Sequence, residues 1–436
     1  MNKYCFFVFL SIFLLIIPIS SVAKSDVSPN NKGLPEKYLL EDVVYVSQLE
    51  AHCYFACLEM IFNYYGIDTD QTELTALHGQ AYNLNYQAKL KAIVTPPFVK
   101  PSYKFYFWVS IFGNQGFDDS DFVCSLFGLK YDNYRPKTGN RNHIASWDSY
   151  WTKLKGHISN NTPIVTCVDC LAWPLYLELH NIPSIYSLFE RSSHSVLVVG
   201  YNENNRTVCV HDPHAGECGQ EGKGTFLWVP VNIFRRAVRR SNFEVIFVNY
   251  YMDIITKTTN EPLSKDERFR LSHERNIEKI KGNNLAYDAD WVTNNFKKLG
   301  INVWHQLKID FKKSFLVLYP FYRFLNRFSN IPFDMILAYE LEAKLRHEIA
   351  EYLNNSSKLL GNEELKNISK HDSELFYNES LKIQDLTNLT IELKDAVENN
   401  SIIKGFLMSK EIIDRICQKI DEIIEIEDKI IAGPTV

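Results

Sequence analysis

Cys53 stands where a thiol has most to offer as a nucleophile, at the first residue of a helical pattern. From Ala56 to Tyr65 apolar and aromatic residues follow one another as in a largely buried helix, and Gly66 is placed to end it. Unpaired backbone N–H groups and the positive end of the helix dipole favour a thiolate over a thiol at such a start. Cys57, one turn further in, lacks that field and reads as a small buried core residue.

A thiolate needs a base, and the base needs an orienting group. The run His194-Ser195-Val196-Leu197-Val198-Val199-Gly200-Tyr201 reads as a buried strand. A polar turn, Asn202 to Arg206, leads to a second strand, Thr207-Val208-Cys209-Val210-His211, and then Asp212-Pro213. Folding this hairpin about residue 204 sets His194 opposite residues 212 to 214. A carboxylate at 212 then bonds one imidazole nitrogen and leaves the other for a thiol.

Around these residues the chain resembles the papain-like peptidases that cut double-glycine leader peptides from bacteriocins, and their stand-alone relatives. The resemblance is carried by Cys53 to Gly66, with Ala56, Leu58, Met60 and the Tyr64-Tyr65-Gly66 ending, and by the His194 to Tyr201 and Val210 to Pro213 segments. It implies Cys53 as nucleophile, His194 as base, Asp212 as orienter and Gln48 as the side-chain donor of an oxyanion hole. Tyr54 replaces the glycine that usually follows the family's cysteine, and Gln48 precedes Cys53 by five residues where the family's glutamine precedes by six.

A second similarity points to the N-terminal domain of the butirosin-biosynthesis acyltransferases. It rests on Pro163-Ile164-Val165, Val168-Asp169 and Trp173-Pro174-Leu175-Tyr176 ahead of the His194 strand. Both families work through an acyl-thioester and differ in whether water or an amine resolves it. The expected function is therefore a cysteine peptidase-like hydrolase acting on a peptide. Acyl transfer from a thioester to an amine is the alternative, and a non-catalytic peptide-binding module the third reading. Neither family chemistry requires a cofactor or a metal.

The elements that must position these residues set the fold class. Before residue 256, β-branched and aromatic runs recur: Val43 to Val46, Pro163 to Val168, Ser195 to Tyr201, Thr207 to Val210 and Val245 to Tyr250 read as strands. After it, spaced apolar residues among Glu, Lys and Asn read as amphipathic helices over Lys265–Lys281, Asp288–Lys298, Met335–Leu353, Asp372–Asn399 and Lys410–Ile431. The expectation is an α+β papain-like catalytic domain over residues 40–255, followed by a helical domain over 256–436. The aromatic stretch 79–143 has the character of an insertion over a cleft.

Residues 1–23 read as an export address: Lys3, an apolar run from Cys5 to Ile19, and the small residues Ser21-Val22-Ala23. A linker, 24–39, follows. The expected location is secreted or periplasmic, with an N-terminal membrane anchor as the alternative, because the run approaches the roughly 20 residues a spanning helix needs. With 52 acids against 47 Lys and Arg, and no basic block with interleaved aromatics, nucleic acid is excluded as the expected partner.

Export would permit disulfides among Cys124, Cys167, Cys170, Cys209, Cys218 and Cys417, with pairings left open. The Cys167-Val168-Asp169-Cys170 spacing lacks the second close Cys or His pair of a usual zinc site. His211, Asp212 and His214 with Cys209 and Cys218 also resemble a metal cluster. Residues 209 and 211 of a strand, however, face opposite to Asp212, and no metal is expected there.

Overall fold

A computed structural model describes residues 33–49, 52–79, 85–92, 106–112, 119–134, 144, 146–180, 193–240, 242–243, 246–247, 250–283, 298–309, 311–312 and 331–434. Residues 35–436 form one unit, and of the preceding unit only Gly33 and Leu34 are described. The export address, the Asp288–Lys298 helix expectation and much of the 79–143 stretch lie outside the described residues. Among the described residues no helix is long and apolar enough to cross a membrane.

An antiparallel sheet packed with helices in the N-terminal part, followed by a helical C-terminal part, makes the fold α+β. A seven-stranded sheet runs in the order Leu129–Tyr134, Met252–Lys257, Ile164–Asp169, Ser193–Asn202, Thr207–His211, Leu227–Pro230, and Lys37–Leu39 pairs with the far end of Ser193–Asn202. Every pairing is antiparallel. Ile164–Asp169 is buried at all six positions, as a strand covered on both faces must be.

The hairpin forms between Ser193–Asn202 and Thr207–His211, with Tyr201 opposite Val208 and Leu197 opposite His211. A bulge between Val198 and Gly200 interrupts the ladder, which adds twist on the way to His194. Gly200 is required there, since a Cβ would come within 2.8 Å of the Tyr38 carbonyl oxygen.

One strand expectation needs correction. Val43 to Val46 forms no strand. Its groups are spent on side-chain bonds instead: the Val43 carbonyl accepts from His211 Nε2 at 3.0 Å, and Tyr45 Oη donates to the Asp212 carbonyl at 3.0 Å. Of Val245 to Tyr250, Ile246–Phe247 is a short strand, Tyr250 is in none and the rest lies outside the described residues; a longer strand follows at Met252–Lys257. Met252–Lys257 inserts between two strands far from it in sequence and takes its place through burial of Met252, Ile254 and Ile255.

The Ser120–Leu126 helix and the Leu129–Tyr134 strand, both inside the stretch 79–143, contribute Val123, Cys124, Leu126, Leu129 and Tyr131 to the main core. Ahead of them, Asn85–Ala92 pairs with Tyr106–Phe112 on one side and with Lys298–Leu299 on the other, in a separate sheet.

The C-terminal part holds the helix Lys265–Ile280, opened by a Ser264/Glu267 capping box, and three long helices, Ile331–Leu359, Glu363–Asn399 and Ile402–Ala432. These run longer than the expected segments; the turns Glu363 to Ser369, for example, continue the helix with Leu365 and Ile368 packed on the core. One helical core contains Ala76 of the N-terminal part together with Phe269, Leu345, Ile349 and Leu353. The helical part is thus anchored on the helix Gln71–His78.

Candidate active site

The Cys53–Tyr64 helix begins at Cys53 itself, with His52 as its N-cap and no capping side chain. Its first N–H groups are therefore available to a negative charge at the helix start. Phe55, Ala56, Cys57, Leu58, Met60, Ile61 and Phe62 are all buried, and this packing fixes the direction in which Cys53 is presented. Cys53 is half-buried, whereas Cys57 is fully enclosed.

The structure brings Cys53, His194 and Asp212 together. His194, on the strand opposite Val168, donates from Nε2 to Asp212 Oδ1 at 2.7 Å. The same imidazole acts on the Cys53 thiol through a hydrogen bond and its charge. The Ser195 backbone N–H also points at Cys53 Sγ, at 3.4 Å. Burial alone would push the Cys53 thiol up. The hydrogen bond and charge of His194 and the Ser195 N–H outweigh it and hold the thiol below its ordinary value.

His194 responds in the opposite direction. Burial would lower its pKa, but the Asp212 charge and hydrogen bond, helped by Cys53, hold the imidazolium well above the usual histidine range. For Asp212 burial acts upward and is overcome by His194, by Trp173 and by the His214 backbone N–H, so its carboxyl lies below the usual value. A thiolate–imidazolium pair backed by an ionised carboxylate is the resting charge state these directions describe. Cys57 differs: burial and the nearby Cys53 charge push its thiol well up, which leaves it inert.

Trp173 was not identified as a site residue from the sequence, where it appeared only within a family resemblance. It packs fully buried, and its Nε1–H donates to Asp212 Oδ2 at 2.7 Å. The carboxylate is thereby saturated: Oδ2 by Trp173, and Oδ1 by His194 and by the His214 N–H at 3.1 Å. The Asp212 backbone is held as firmly, its N–H on the Gly224 carbonyl at 2.9 Å and its carbonyl on Tyr45 Oη. Gly224 is needed for that approach, because a Cβ there would meet the Asp212 carbonyl oxygen at 2.3 Å.

Gln48 is buried, and its amide Nε2 donates to Glu217 Oε2 and lies 3.3 Å from His214 Nδ1. Its Oε1 has no hydrogen-bond partner. Tyr54, in place of the family's glycine, directs its hydroxyl to Ser120 Oγ at 2.6 Å and its ring edge-on to His78. His52, immediately before Cys53, is met by Glu348 of the Ile331–Leu359 helix at 3.3 Å. The helical part thus touches the residue that caps the thiol's helix.

Of the grouping of Cys209, His211, Asp212, His214 and Cys218 raised by sequence spacing, the structure brings His214 and Cys218 together, at 3.7 Å, and commits His211 and Cys209 elsewhere. His211 is committed to the Val43 carbonyl through Nε2 and to the Phe226 N–H through Nδ1, and Cys209 is enclosed in the core. Cys167 Sγ lies 3.9 Å from Ser195 Oγ, and no disulfide joins the eight described cysteines.

No curated protein matches the chain. Residues 40–226, the span that carries Cys53, Trp173, His194 and Asp212, match the sequence model of the Peptidase_C39 like family, and the match relates the chain to the papain-like cysteine peptidase superfamily.

Proposed function

We propose that the protein is a cysteine peptidase-like hydrolase with a papain-like catalytic part, in which Cys53 attacks the substrate carbonyl and His194 handles the protons. The observation that carries this reading is the double engagement of His194, with Asp212 on Nε2 at 2.7 Å and the Cys53 thiol within reach of its hydrogen bond and charge. In the scheme, the Cys53 thiolate adds to a peptide carbonyl carbon, and the carbonyl oxygen takes the negative charge. N–H groups at the start of the Cys53 helix are placed to receive that charge. The His194 imidazolium then gives its proton to the leaving amine as the C–N bond breaks. Water deprotonated by His194 attacks the resulting thioester, releasing the acid and restoring the thiol pair.

Asp212 in this scheme positions the ring and stabilises its charge, as buried carboxylates do in triads. Gln48 can act as a side-chain oxyanion donor once its amide leaves Glu217 and His214.

The second reading is acyl transfer to an amine, supported by Trp173, part of the acyltransferase-like segment, lying directly on Asp212. The full chain incubated with a peptide library in plain buffer should release products, and Cys53→Ala should abolish release. If no peptide is cut but an added amine is acylated from a thioester, transfer replaces hydrolysis. If neither occurs and Cys53→Ala still binds peptides as the parent does, the site is a binding module.

A further inference from the structure

Beside the Cys53–His194 pair stands a second cluster that the hydrolytic scheme does not use. His180 Nε2 and His214 Nε2 are 2.7 Å apart, Cys218 Sγ lies 3.7 Å from His214 Nε2, and the three donor atoms all fall within 4.8 Å of one another. We propose that His180, His214 and Cys218 form a binding site for a single thiophilic divalent cation, zinc foremost, with its fourth position open to solvent or substrate.

The local structure is what such a site needs. His214 and Cys218 are four residues apart across the short helix His214–Glu217 and its C-cap, so they share one face. His180 closes the Pro174–Leu179 helix and faces them from the other side. A tetrahedral zinc centre with the usual bond lengths separates a sulfur and a nitrogen ligand by about 3.6 Å, and two nitrogens by about 3.3 Å. The spacing of Cys218 Sγ to His214 Nε2 already agrees, and the exposed His180 ring needs to withdraw from His214 by only about 0.6 Å to meet the nitrogen spacing.

The surroundings add a second argument. His214 Nδ1 lies 2.9 Å from Glu217 Oε2, and the tautomer that donates to this carboxylate turns the Nε2 lone pair toward Cys218 and His180. A carboxylate behind a histidine in this way fixes the tautomer that ligates metals. Tyr176 packs against both rings, with centroids 4.4 Å from His180 and 5.3 Å from His214, and limits their rotation. Two imidazoles and one thiolate suit zinc better than magnesium or calcium, which prefer oxygen. On binding, the Cys218 S–H bond is exchanged for a sulfur–metal bond and the proton leaves to solvent. The His214 ring stands edge-on to His194 at 5.8 Å between centroids, so the cation would sit next to the catalytic pair without using either of its members.

The test uses the full chain carrying Cys53→Ala, which removes the other thiol–imidazole pair able to hold a metal and makes the outcome independent of the peptidase reading. Titration with Co2+ should give a thiolate-to-metal charge-transfer band and tetrahedral visible bands that saturate at one equivalent and are displaced by Zn2+. Adding Cys218→Ser should abolish the charge-transfer band. His180→Ala, at an exposed position where loss of fold is not expected, should weaken Co2+ binding at least tenfold, with circular dichroism unchanged. A charge-transfer band that survives Cys218→Ser, affinity indifferent to His180→Ala, or the lack of any saturable binding would each overturn the site.

Discussion

Trp173 donates its indole N–H to the Asp212 carboxylate at 2.7 Å, on the oxygen that His194 does not use. The two donors, 39 and 18 residues from the acceptor in sequence, divide one buried carboxylate between them. Asp212 can hold the imidazole in one orientation because its other oxygen is already fixed.

Replacing Trp173 tests that division. Trp173→Phe keeps most of the apolar volume and removes the donor, leaving Oδ2 buried without a partner, at a cost of about 1–3 kcal/mol in stability. Turnover should fall while substrate KM changes little, since the ring position rather than the binding surface is disturbed. Asp212→Asn should cost less turnover than His194→Ala, because an amide still holds the ring. An unaltered kcat in Trp173→Phe would show that the indole bond supports the fold alone.

The charge state of Cys53 is open to direct measurement. Its thiol is held below the ordinary value of 9.0 by His194 against the effect of burial. Iodoacetamide should therefore modify Cys53 at mildly acidic pH while Cys57, whose thiol is pushed well up, stays unlabelled. His194→Ala removes the opposing charge, and the labelling profile of Cys53 should move to higher pH. Mass mapping of the labelled peptides would decide, and equal labelling of Cys53 and Cys57 would count against the pair.

Asp119 ties the helical part to the sheet-bearing part. Arg275 reaches both of its oxygens, at 2.8 and 2.7 Å, and buried Lys279 forms an ion pair with it. Asp119→Asn leaves two cations facing a neutral amide, one of them buried, and should destabilise the chain by about 3–5 kcal/mol. Urea unfolding of the variant should show an earlier midpoint, and a change under 1 kcal/mol would mean that water has replaced the carboxylate.

The long helices contain a pH-sensitive core. Arg346 is fully buried and is contacted by Glu342 at 3.1 Å, Glu379 at 3.3 Å and Glu427 at 3.0 Å, so one guanidinium faces three carboxyl groups. Burial, opposed by Arg346 and reinforced by Glu427, pushes Glu342 up to about 7 and Glu379 well above the carboxylate range. The folded state then holds protons that the unfolded chain has released above its ordinary carboxylate value of 4.5. Stability present below that value is lost as pH rises through about 7. Thermal melts should show a lower Tm at pH 8 than at pH 5, and Glu379→Gln should flatten the difference.

How much of this was legible in the sequence follows from where the interactions lie along the chain. The helix that starts at Cys53 and the hairpin that carries His194 toward Asp212 are local, since each is set by the period of its own apolar residues and by a turn of a few residues. The α+β class and the long C-terminal helices could be read for the same reason. Trp173 on Asp212, the partners of Gln48, the placement of Met252–Lys257 between Leu129–Tyr134 and Ile164–Asp169, and His180 beside Cys218 depend instead on strand order and on how separate elements pack. Periodicity records which face of a segment is buried and leaves open what lies against it. Val43 to Val46 shows the limit: its composition suits a strand, but His211 and the Asp212 turn took its neighbouring polar groups first. Only the assembled sheet, by burying Asp212 and supplying its donors from three different segments, decided which side chains surround the thiol.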